Sequence, residues 1–441
     1  MARDVILLSD EEKIAGRRIA GPPSGTSSTI SMSATAHTSP YPLSVPVGTT
    51  TLAACRDIAE ASVLMTDESY KHSLGIIRQL GRMGVRVSVV ATSRDSLVCR
   101  SRYRSDIVWS KAATTEAVLE AALGAVKGKR YDLLMPVGFP MTMALAQARE
   151  QFIPYVNLEL ASTAKMVRAA NKAEMADLAR EVGVPAPRTS VLSGMDELES
   201  LVAGMAFPIV VKPKMESRKG VVAYARTMAE LRTICSERFA GQSSGIWEPQ
   251  ILQEFIPGYG CGFFATYQKG VCKRVFMHRR VREYPANGGA SCCAESVHEA
   301  KLEEYGRRML DALDWHGVAM VEFRRDSRDG DYKLIEVNPK FWGSLDLALA
   351  AGADFPGDLC RMALGATLPF TDAYDRNLRF QWPLSGHGDL FHLWTRPQSL
   401  LDVAFDLLNP KVKTNVWLRD CGPNLAELRG LVGSFLRSRK S

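Results

Sequence analysis

The sequence predicts an α/β and α+β protein in which a small doubly wound domain precedes a larger region of strands. Short apolar runs alternate with amphipathic helical stretches between residues 61 and 165, a pattern typical of βαβ units with a parallel sheet. After Gly183 the helical periodicity gives way to strands broken by glycine-rich loops. The chain has 441 residues, of which 46% are hydrophobic, so two or three domains with sizeable cores are expected.

The first 58 residues are predicted to form a disordered tail. About two thirds of the residues from Gly21 to Thr50 are Ser, Thr, Pro or Gly. Such a segment cannot bury enough apolar surface to offset the entropy lost on ordering. The absence of acids between Lys13 and Arg56 is also typical of an organelle transit peptide, although four acids precede that stretch. Disorder and a start codon assigned too early are the alternatives to transit.

Charge and cysteine content favour a protein of a reducing compartment that binds small anions. The formal net charge of +7 suits anionic small molecules such as nucleotides, and the sequence has no basic block interleaved with aromatics that would indicate nucleic acid. The nine cysteines form no CxxC pair, which favours free thiols. No apolar run reaches the roughly 18 residues of a membrane span. We therefore expect a cytoplasmic protein that binds neither nucleic acid nor membrane.

Residues 59–165 are assigned to the small doubly wound domain. The predicted elements are a strand at SVLMTD, a helix at HSLGIIRQLGRMG, strands at VRVSVVAT and YDLLMP, and a helix from Met141 to Gln151. No GxGxxG motif follows the first strand, so the fingerprint of a dinucleotide-binding domain is absent. This domain alone does not indicate a function.

A pair of glutamates is the most informative feature of the second half. Val318 to Asn338 reads VAMVEFRRDSRDGDYKLIEVN, two apolar runs flanking a strong turn. A hairpin centred on Asp329 places Glu322 opposite Glu336, with Asn338 on the same face. Val321, Phe323, Ile335 and Val337 would then form the core face. Two carboxylates about 4 Å apart repel by roughly 4 kcal/mol at an effective dielectric near 20. A divalent cation offsets this cost more naturally than a shared proton or nearby arginines, because Mg²⁺ prefers oxygen ligands.

Three further segments could hold a nucleotide. The strand FPIVVKP ends at Lys212 and leads into a basic loop that could fold over phosphates. ILQEFIPGYGCG runs from a strand into a Pro-Gly turn, where main-chain groups could pair with a purine. FMHRRVREYPANGGA places Arg280 and Arg282 on one strand face, where two guanidinium groups would fit a carboxylate or phosphate. Each segment alone is also consistent with ordinary surface structure.

Taken in order, these segments resemble the ATP-grasp superfamily, in the branch that includes biotin carboxylase and the carbamoyl-phosphate synthase large subunit. The resemblance covers Asn171 to Leu368 and is most specific at VEF and IEVNPKFWG. It implies a small pre-ATP-grasp domain followed by a two-lobed ATP-grasp fold over residues 166–370. The phosphate-loop lobe would span about 188–256 and the metal-binding lobe about 257–370. Residues 371–441 would form a C-terminal extension ending in an amphipathic helix.

The resemblance also implies roles for individual residues. Glu322, Glu336 and Asn338 would bind Mg²⁺ or Mn²⁺, and Arg280 and Arg282 would face the acyl phosphate or substrate carboxylate. The residues expected to contact ATP are Lys172, Lys212, Ser217, Arg218, Lys219, Gly220, Gln253, Glu254, Phe255 and Ile256. Two positions depart from the family pattern. Cys261 stands where relatives carry the glutamate that holds the ribose, and Lys340 replaces an arginine of the catalytic set.

The implied reaction is ATP-dependent activation of a carboxylate, followed by attack of an amine and release of ADP and phosphate. The resemblance thus implies a carboxylate–amine ligase acting on amino-acid-like substrates, and it allows a homodimer. Two alternatives stay open. One is an enzyme that activates bicarbonate or carbamate, and the other is an ATP-binding regulator without turnover.

Overall fold

The N-terminal part of the protein is a four-stranded parallel sheet with helices on both faces. The computed structural model describes residues 56–216, 222–240, 249–284, 289–384, 388–389, 392–393 and 396–438, with side chains to residue 429. The strand order is β3-β2-β1-β4. The elements of this part are β1 (Ser62–Met65), α1 (Lys71–Arg82), β2 (Arg86–Ala91), β3 (Asp106–Trp109), α2 (Thr115–Gly128), β4 (Leu133–Met135), α3 (Phe139–Gln147), α4 (Arg149–Phe152) and α5 (Thr163–Ala170).

Alternation along β1 explains why this sheet is covered on both sides. Val63 and Met65 pack against α1 in one apolar cluster, whereas Leu64 packs toward α2 and α3 in another. The predicted doubly wound arrangement of this sheet is thereby confirmed. The predicted tail lies outside the described residues except for its last three, and Arg56 already donates a 2.7 Å hydrogen bond to Asp132. The edge strand β3 was not predicted, because its half-exposed residues give no continuous apolar run.

A small antiparallel sheet follows, in the order β5-β8-β6-β7. Its strands carry the lysine of the FPIVVKP segment and the hinge of the QEFI segment. The elements are α6 (Lys172–Glu181), β5 (Thr189–Leu192), α7 (Leu198–Val202), β6 (Ile209–Pro213), β7 (Ala223–Ala225), α8 (Met228–Ala240) and β8 (Gln250–Glu254).

The third layer is a seven-stranded sheet in the order β13-β12-β9-β10-β11-β14-β15. All neighbouring strands are antiparallel except β14 and β15. The elements are β9 (Gly258–Gln268), β10 (Val271–Tyr284), β11 (Ala290–Ser296), α9 (Ala300–Ala312), β12 (Gly317–Asp326), β13 (Tyr332–Asn338), α10 (Leu345–Ala350), α11 (Phe355–Ala363), β14 (Arg379–Gln381), α12 (Leu400–Leu408), β15 (Lys413–Thr414) and α13 (Cys421–Ser438).

The C-terminal residues are built into this sheet. β14 pairs with β11, and Phe380 and Trp382 lie in the core shared with α1 and α10. A helix is present at Cys421–Ser438, where the sequence predicts one, but its side chains are described only to residue 429. Within the described residues no helix is long and apolar enough to cross a membrane.

Candidate active site

The hairpin of β12 and β13 brings the two glutamates together. Glu322 and Glu336 are register partners, and Val321 pairs with Val337. Asn338 donates a 3.0 Å hydrogen bond from Nδ2 to Oε1 of Glu336, so these two side chains share a face. The predicted register is therefore confirmed at the residues that were expected to bind the metal.

A β-bulge lies one residue beyond the glutamates and alters the predicted core face. The register shifts between Glu322 and Phe323, so that Phe323 pairs with Leu334. Leu334 is buried in the core, while Ile335 is only partly buried and lines the cleft beside Glu336. The prediction that Ile335 belongs to the core face was wrong, because the bulge inserts one residue that strict alternation does not allow for.

Lysines from three separate parts of the chain surround Glu336. Lys172, at the start of α6, lies 3.6 Å from Glu336 and 3.4 Å from Glu216 through its ammonium nitrogen. Lys340 binds the other oxygen of Glu216 at 2.7 Å and Oδ1 of Asn338 at 2.7 Å. Lys212, at the end of β6, is buried next to the same groups. The cleft is therefore rich in cations that could meet phosphate oxygens.

The two carboxylates respond differently to this environment. Burial would raise the pKa of Glu336, but the charges of Lys172, Lys212 and Lys340 outweigh it and lower the pKa to about 2. Glu322 has a raised pKa, because its burial and the charge of Glu336 outweigh Arg280. Glu336 is thus held as a carboxylate at every physiological pH. Burial also lowers the pKa of Lys212.

The arginine strand β10 does not present its guanidinium groups as predicted. Arg280 pairs with Ala294, but a bulge follows and Arg282 pairs with Cys293. Arg280 binds Glu322 at 2.7 Å. The guanidinium of Arg282 instead binds Asp389 at 2.8 Å and Asp406 at 2.7 Å.

The expectation that Arg280 and Arg282 share one face was therefore wrong. The bulged residue Val281 turns the following side chain to the other side of the sheet. Arg282 is buried between two carboxylates, so its charge is already compensated within the protein. The structure does not bring Arg282 to the glutamate pair.

A cleft of about 340 Å³ lies between the small sheet and the hairpin. It contains Lys172, Lys212, Glu322 and Glu336 together with the hinge after β8. Other lining residues are Val210, Tyr224, Gln253, Glu254, Phe255, Ile256, Arg280, Arg324 and Ile335. The predicted phosphate-loop residues Ser217, Arg218, Lys219 and Gly220 lie outside the described residues.

Three of the hinge side chains have structural partners. Gln253 donates a 2.9 Å hydrogen bond to the hydroxyl of Thr189. Glu254 accepts a 2.9 Å bond from Arg328, and Phe255 packs edge-to-face on Tyr224 with ring centroids 5.9 Å apart. A ligand at this hinge would accordingly meet main-chain groups and apolar surface.

Cys261 does not reach the cleft. Its side chain is 2% exposed and belongs to the core cluster with Phe263 and Tyr332. Burial raises the pKa of its thiol to about 12. The expectation that Cys261 replaces a ribose-binding side chain was wrong. Alternation on β9 turns Cys261 inward, and its neighbour Gly260 faces Arg280 and Glu283 instead.

The donor set of the hairpin fits a hard divalent cation. Glu322, Glu336 and Asn338 supply only oxygen ligands, which Mg²⁺ and Mn²⁺ accept. No three His, Cys, Asp or Glu side chains gather around a common point in the described residues, so an amide would have to complete the set. Arg280 and the lysines now offset the carboxylate charge, and a cation would replace part of that compensation.

Three residues in or beside this cleft were not predicted as site residues. Glu216 bridges Lys172 and Lys340, Glu283 lies 3.4 Å from Arg280, and Arg324 donates a 2.9 Å hydrogen bond to the carbonyl of Ile256. Glu216 adjoins the basic loop in sequence, and this acid could have been noted. Glu283 and Arg324 could not have been noted in this way, because their contacts depend on how the strands pair.

Comparison with known proteins agrees with this geometry. Residues 248–382 match a family model described as ATP-grasp in the biosynthetic pathway with Ter operon. The match covers the hinge, the arginine strand and the glutamate hairpin. Over this segment the chain is similar to ATP-grasp proteins. The predicted fold class and family resemblance are thereby confirmed.

The proteins to which this chain is similar have several activities. It is 21% identical over 302 residues to the carbamoyl phosphate synthase large chain of Methanoculleus marisnigri, covering 66% of this chain and 28% of the relative. It is 23% identical to the D-aspartate ligase of Enterococcus faecium, covering 48% of this chain and 53% of the relative. The fold is similar to that of biotin carboxylase from Campylobacter jejuni, with a TM-score of 0.61 at 16% identity and coverage of 73% and 75%.

Proposed function

We propose that this protein is an ATP-dependent, ADP-forming carboxylate–amine ligase. The observation that carries the proposal is the pairing of Glu322 with Glu336 beside Asn338, in a cleft that Lys172 and Lys212 also line. Oxygen ligands next to buried cations suit a metal-bound triphosphate. The likeness to the D-aspartate ligase supports amide formation as the outcome.

The reaction would proceed in two steps. A carboxylate oxygen of the acid attacks the γ-phosphorus, the bond to the β–γ bridging oxygen breaks, and ADP leaves. The amine nitrogen then attacks the acyl carbon, a C–N bond forms, phosphate leaves, and the nitrogen releases a proton. Lys172, Lys212 and Lys340 would hold phosphate oxygens, and Arg280 would stabilise the charge on the transferred group. Mg²⁺ on Glu322, Glu336 and Asn338 would offset the charge between the β- and γ-phosphates.

A trapping assay tests this proposal. The full chain is incubated with ATP, Mg²⁺, hydroxylamine and a pool of carboxylic and amino acids, and ADP, AMP and hydroxamate are measured. We expect ADP and hydroxamate in equal amounts, with both lost in Glu336→Gln and retained in the surface control Glu304→Gln. AMP with hydroxamate would contradict the proposal, since it indicates adenylate chemistry. ATP binding without any turnover of the pool would favour the regulator.

Activation of bicarbonate is the second candidate, because the match to the carbamoyl phosphate synthase large chain extends over two thirds of this chain. The same assay separates the two. ADP release that depends on added bicarbonate, without hydroxamate from any pooled acid, would favour this candidate over the ligase.

A further inference from the structure

A second cavity of about 520 Å³ lies beside the nucleotide cleft. The two share Phe255, Arg280 and Arg324, so these side chains form the partition between them. The size is within the range of about 300–1,000 Å³ that is common for small-molecule sites. The outer wall lies beyond the segment matched by the ATP-grasp family model, and it comes from His392, Arg396, Ser399, Asp402, Phe405 and Asp406.

Buried charges fix this outer wall in place. Asp406 of α12 accepts hydrogen bonds from Arg282 at 2.7 Å and from Arg379 at 3.1 Å. His392 is bonded through Nδ1 to the carbonyl of Glu283 at 2.8 Å. The wall is therefore tied to β10 and β14 by specific contacts, which a preformed binding site requires. Arg282, which the sequence placed in the active site, thus holds the outer wall through Asp406.

The partition carries two guanidinium groups, those of Arg280 and Arg324, that could bind an anion. Arg324 donates hydrogen bonds to the carbonyls of Ile256 and Gly258, and it forms no ion pair with any described carboxylate. The Nε of Arg280 is buried without a hydrogen-bond partner in the described part of the chain. A buried donor without an acceptor is costly, so a bound anion would relieve it.

The opposite wall carries groups of a different kind. Asp402 and Ser399 of the C-terminal segment line the cavity, and Asp402 is exposed and belongs to no ion pair among the described residues. Arg396 lies on the same wall. A ligand with a carboxylate toward Arg280 and Arg324 and an ammonium group toward Asp402 would complement both walls.

We infer that this cavity binds an amino acid, which is the carboxylate substrate of the ligase reaction. The inference rests on the proposed function and names the substrate class and the C-terminal residues that select it. Arg280 also links the two sites. A metal ion on Glu322 would share the carboxylate that now holds Arg280 at 2.7 Å, which would free this guanidinium for the substrate. Amino-acid affinity should therefore rise when Mg²⁺ and a nucleotide are bound.

Binding and turnover are measured separately with the full chain. An equimolar mixture of the twenty protein amino acids, and then each singly, is titrated by calorimetry with and without MgADP. We expect binding that strengthens with MgADP. In Asp402→Asn it should weaken about tenfold, as expected for loss of a charged hydrogen bond. The surface control Lys411→Gln should bind like wild type. In the hydroxylamine assay, Asp402→Asn should raise KM and leave kcat nearly unchanged, whereas Lys411→Gln should keep the wild-type KM.

The outcomes distinguish this inference from the proposed function. Amino-acid binding that depends on Asp402, without hydroxamate or ADP, would support the cavity assignment and contradict the ligase. Turnover with the same KM in Asp402→Asn and Lys411→Gln would contradict the assignment and leave the ligase standing. Loss of MgADP affinity in Asp402→Asn would show that the cavity belongs to the nucleotide. Absence of binding by every amino acid in the presence of MgADP would also overturn the inference.

Discussion

Glu336 is the residue on which the candidate metal site depends most directly. Its carboxylate is opposite Glu322, within 3.6 Å of Lys172, and bonded to Asn338. Two buried carboxylates on facing positions of a hairpin are stable here because cations surround them. The same cations would meet phosphate oxygens when a nucleotide enters, so Glu336 links metal affinity to nucleotide affinity.

The first prediction concerns this link. In Glu336→Gln, an amide replaces the anionic ligand, so Mg²⁺-dependent tightening of nucleotide binding should fall by about tenfold or more. Titration of a fluorescent ADP analogue at several Mg²⁺ concentrations measures the change. Glu304→Gln, on the exposed face of α9, should retain the wild-type dependence. An unchanged Mg²⁺ dependence in Glu336→Gln would argue against a metal at this hairpin.

The second prediction distinguishes a structural Arg282 from a catalytic one. Arg282→Met leaves Asp389 and Asp406 buried without their shared partner, which should cost about 3–5 kcal/mol of unfolding free energy. Arg279→Met removes a neighbouring pair that is half exposed and should cost at most about 1 kcal/mol. Urea denaturation of both variants gives the comparison. Equal stability of the two, with activity lost only in Arg282→Met, would restore the predicted catalytic role.

Residues whose neighbours in sequence determine their orientation could be predicted. Glu322, Glu336 and Asn338 were placed correctly because the SRDGD turn and the apolar alternation select one register. Arg282 and Ile335 were not, since each lies next to a bulge that reverses the alternation. Cys261 was assigned by its position in the family pattern, whereas its orientation follows from the pleat of β9.

At the scale of elements, the hinge between β8 and β9 brings the cleft and the second cavity together. Gly258 opens β9 with a φ of +120°, and a Cβ there would lie 2.0 Å from the carbonyl oxygen of Arg325. The chain can turn at this point only because glycine has no side chain. The close approach also sets the distance between the hinge and β12, on which Arg324 lies.

The third prediction follows from this close approach. Gly258→Ala should destabilise the protein by about 2 kcal/mol or more, because the clashing atom belongs to the main chain and cannot move easily. Gly124→Ala is the matched control, since its Cβ in α2 meets nothing within 4 Å. That substitution should stabilise the helix by about 0.5–1 kcal/mol. Thermal unfolding measures both, and stabilisation by Gly258→Ala would contradict the described hinge.

Some helices and strands could be predicted from the sequence and others could not. The first strands and helices of the parallel domain and the β12–β13 hairpin could be predicted, because local apolar patterns and turn residues define them. The incorporation of β14 and β15 into the seven-stranded sheet could not, as each has at most three residues and pairs with distant strands. The second cavity was missed for the same reason, since its outer wall depends on contacts between residues more than 100 positions apart.

At the scale of the molecule, α1 of the parallel domain joins the C-terminal segment through buried charges. Arg78 binds Asp420 at 2.9 Å, and both side chains are almost fully buried. Near this pair, Lys71, Asp346 and Glu427 face one another. Burial lowers the pKa of Lys71 to about 8 and raises that of Glu427 to about 7, while Asp346 also has a raised pKa. Folding therefore depends on pH at this junction.

The fourth prediction concerns the contribution of Glu427 to stability, which falls as the pH rises toward 7. The unfolded chain releases the Glu427 proton near the ordinary value of 4.5, whereas the folded protein keeps it until about pH 7. At Glu427 the folded state therefore binds more protons between these values, and the contribution of this residue to the unfolding free energy falls across this window by up to about 3 kcal/mol. Above pH 7 this contribution is constant.

Glu427→Gln should remove that fall, because glutamine does not titrate. The variant should match wild type near pH 4 and be more stable at pH 8, where the wild-type carboxylate is buried and charged. Urea denaturation at both pH values measures the difference, with exposed Glu120→Gln as the control that retains the wild-type pH dependence. Lys71 does not confound the comparison, since its lowered pKa changes the stability only above pH 8. The same change in unfolding free energy between pH 4 and pH 8 in Glu427→Gln and in wild type would show that Glu427 makes no such contribution.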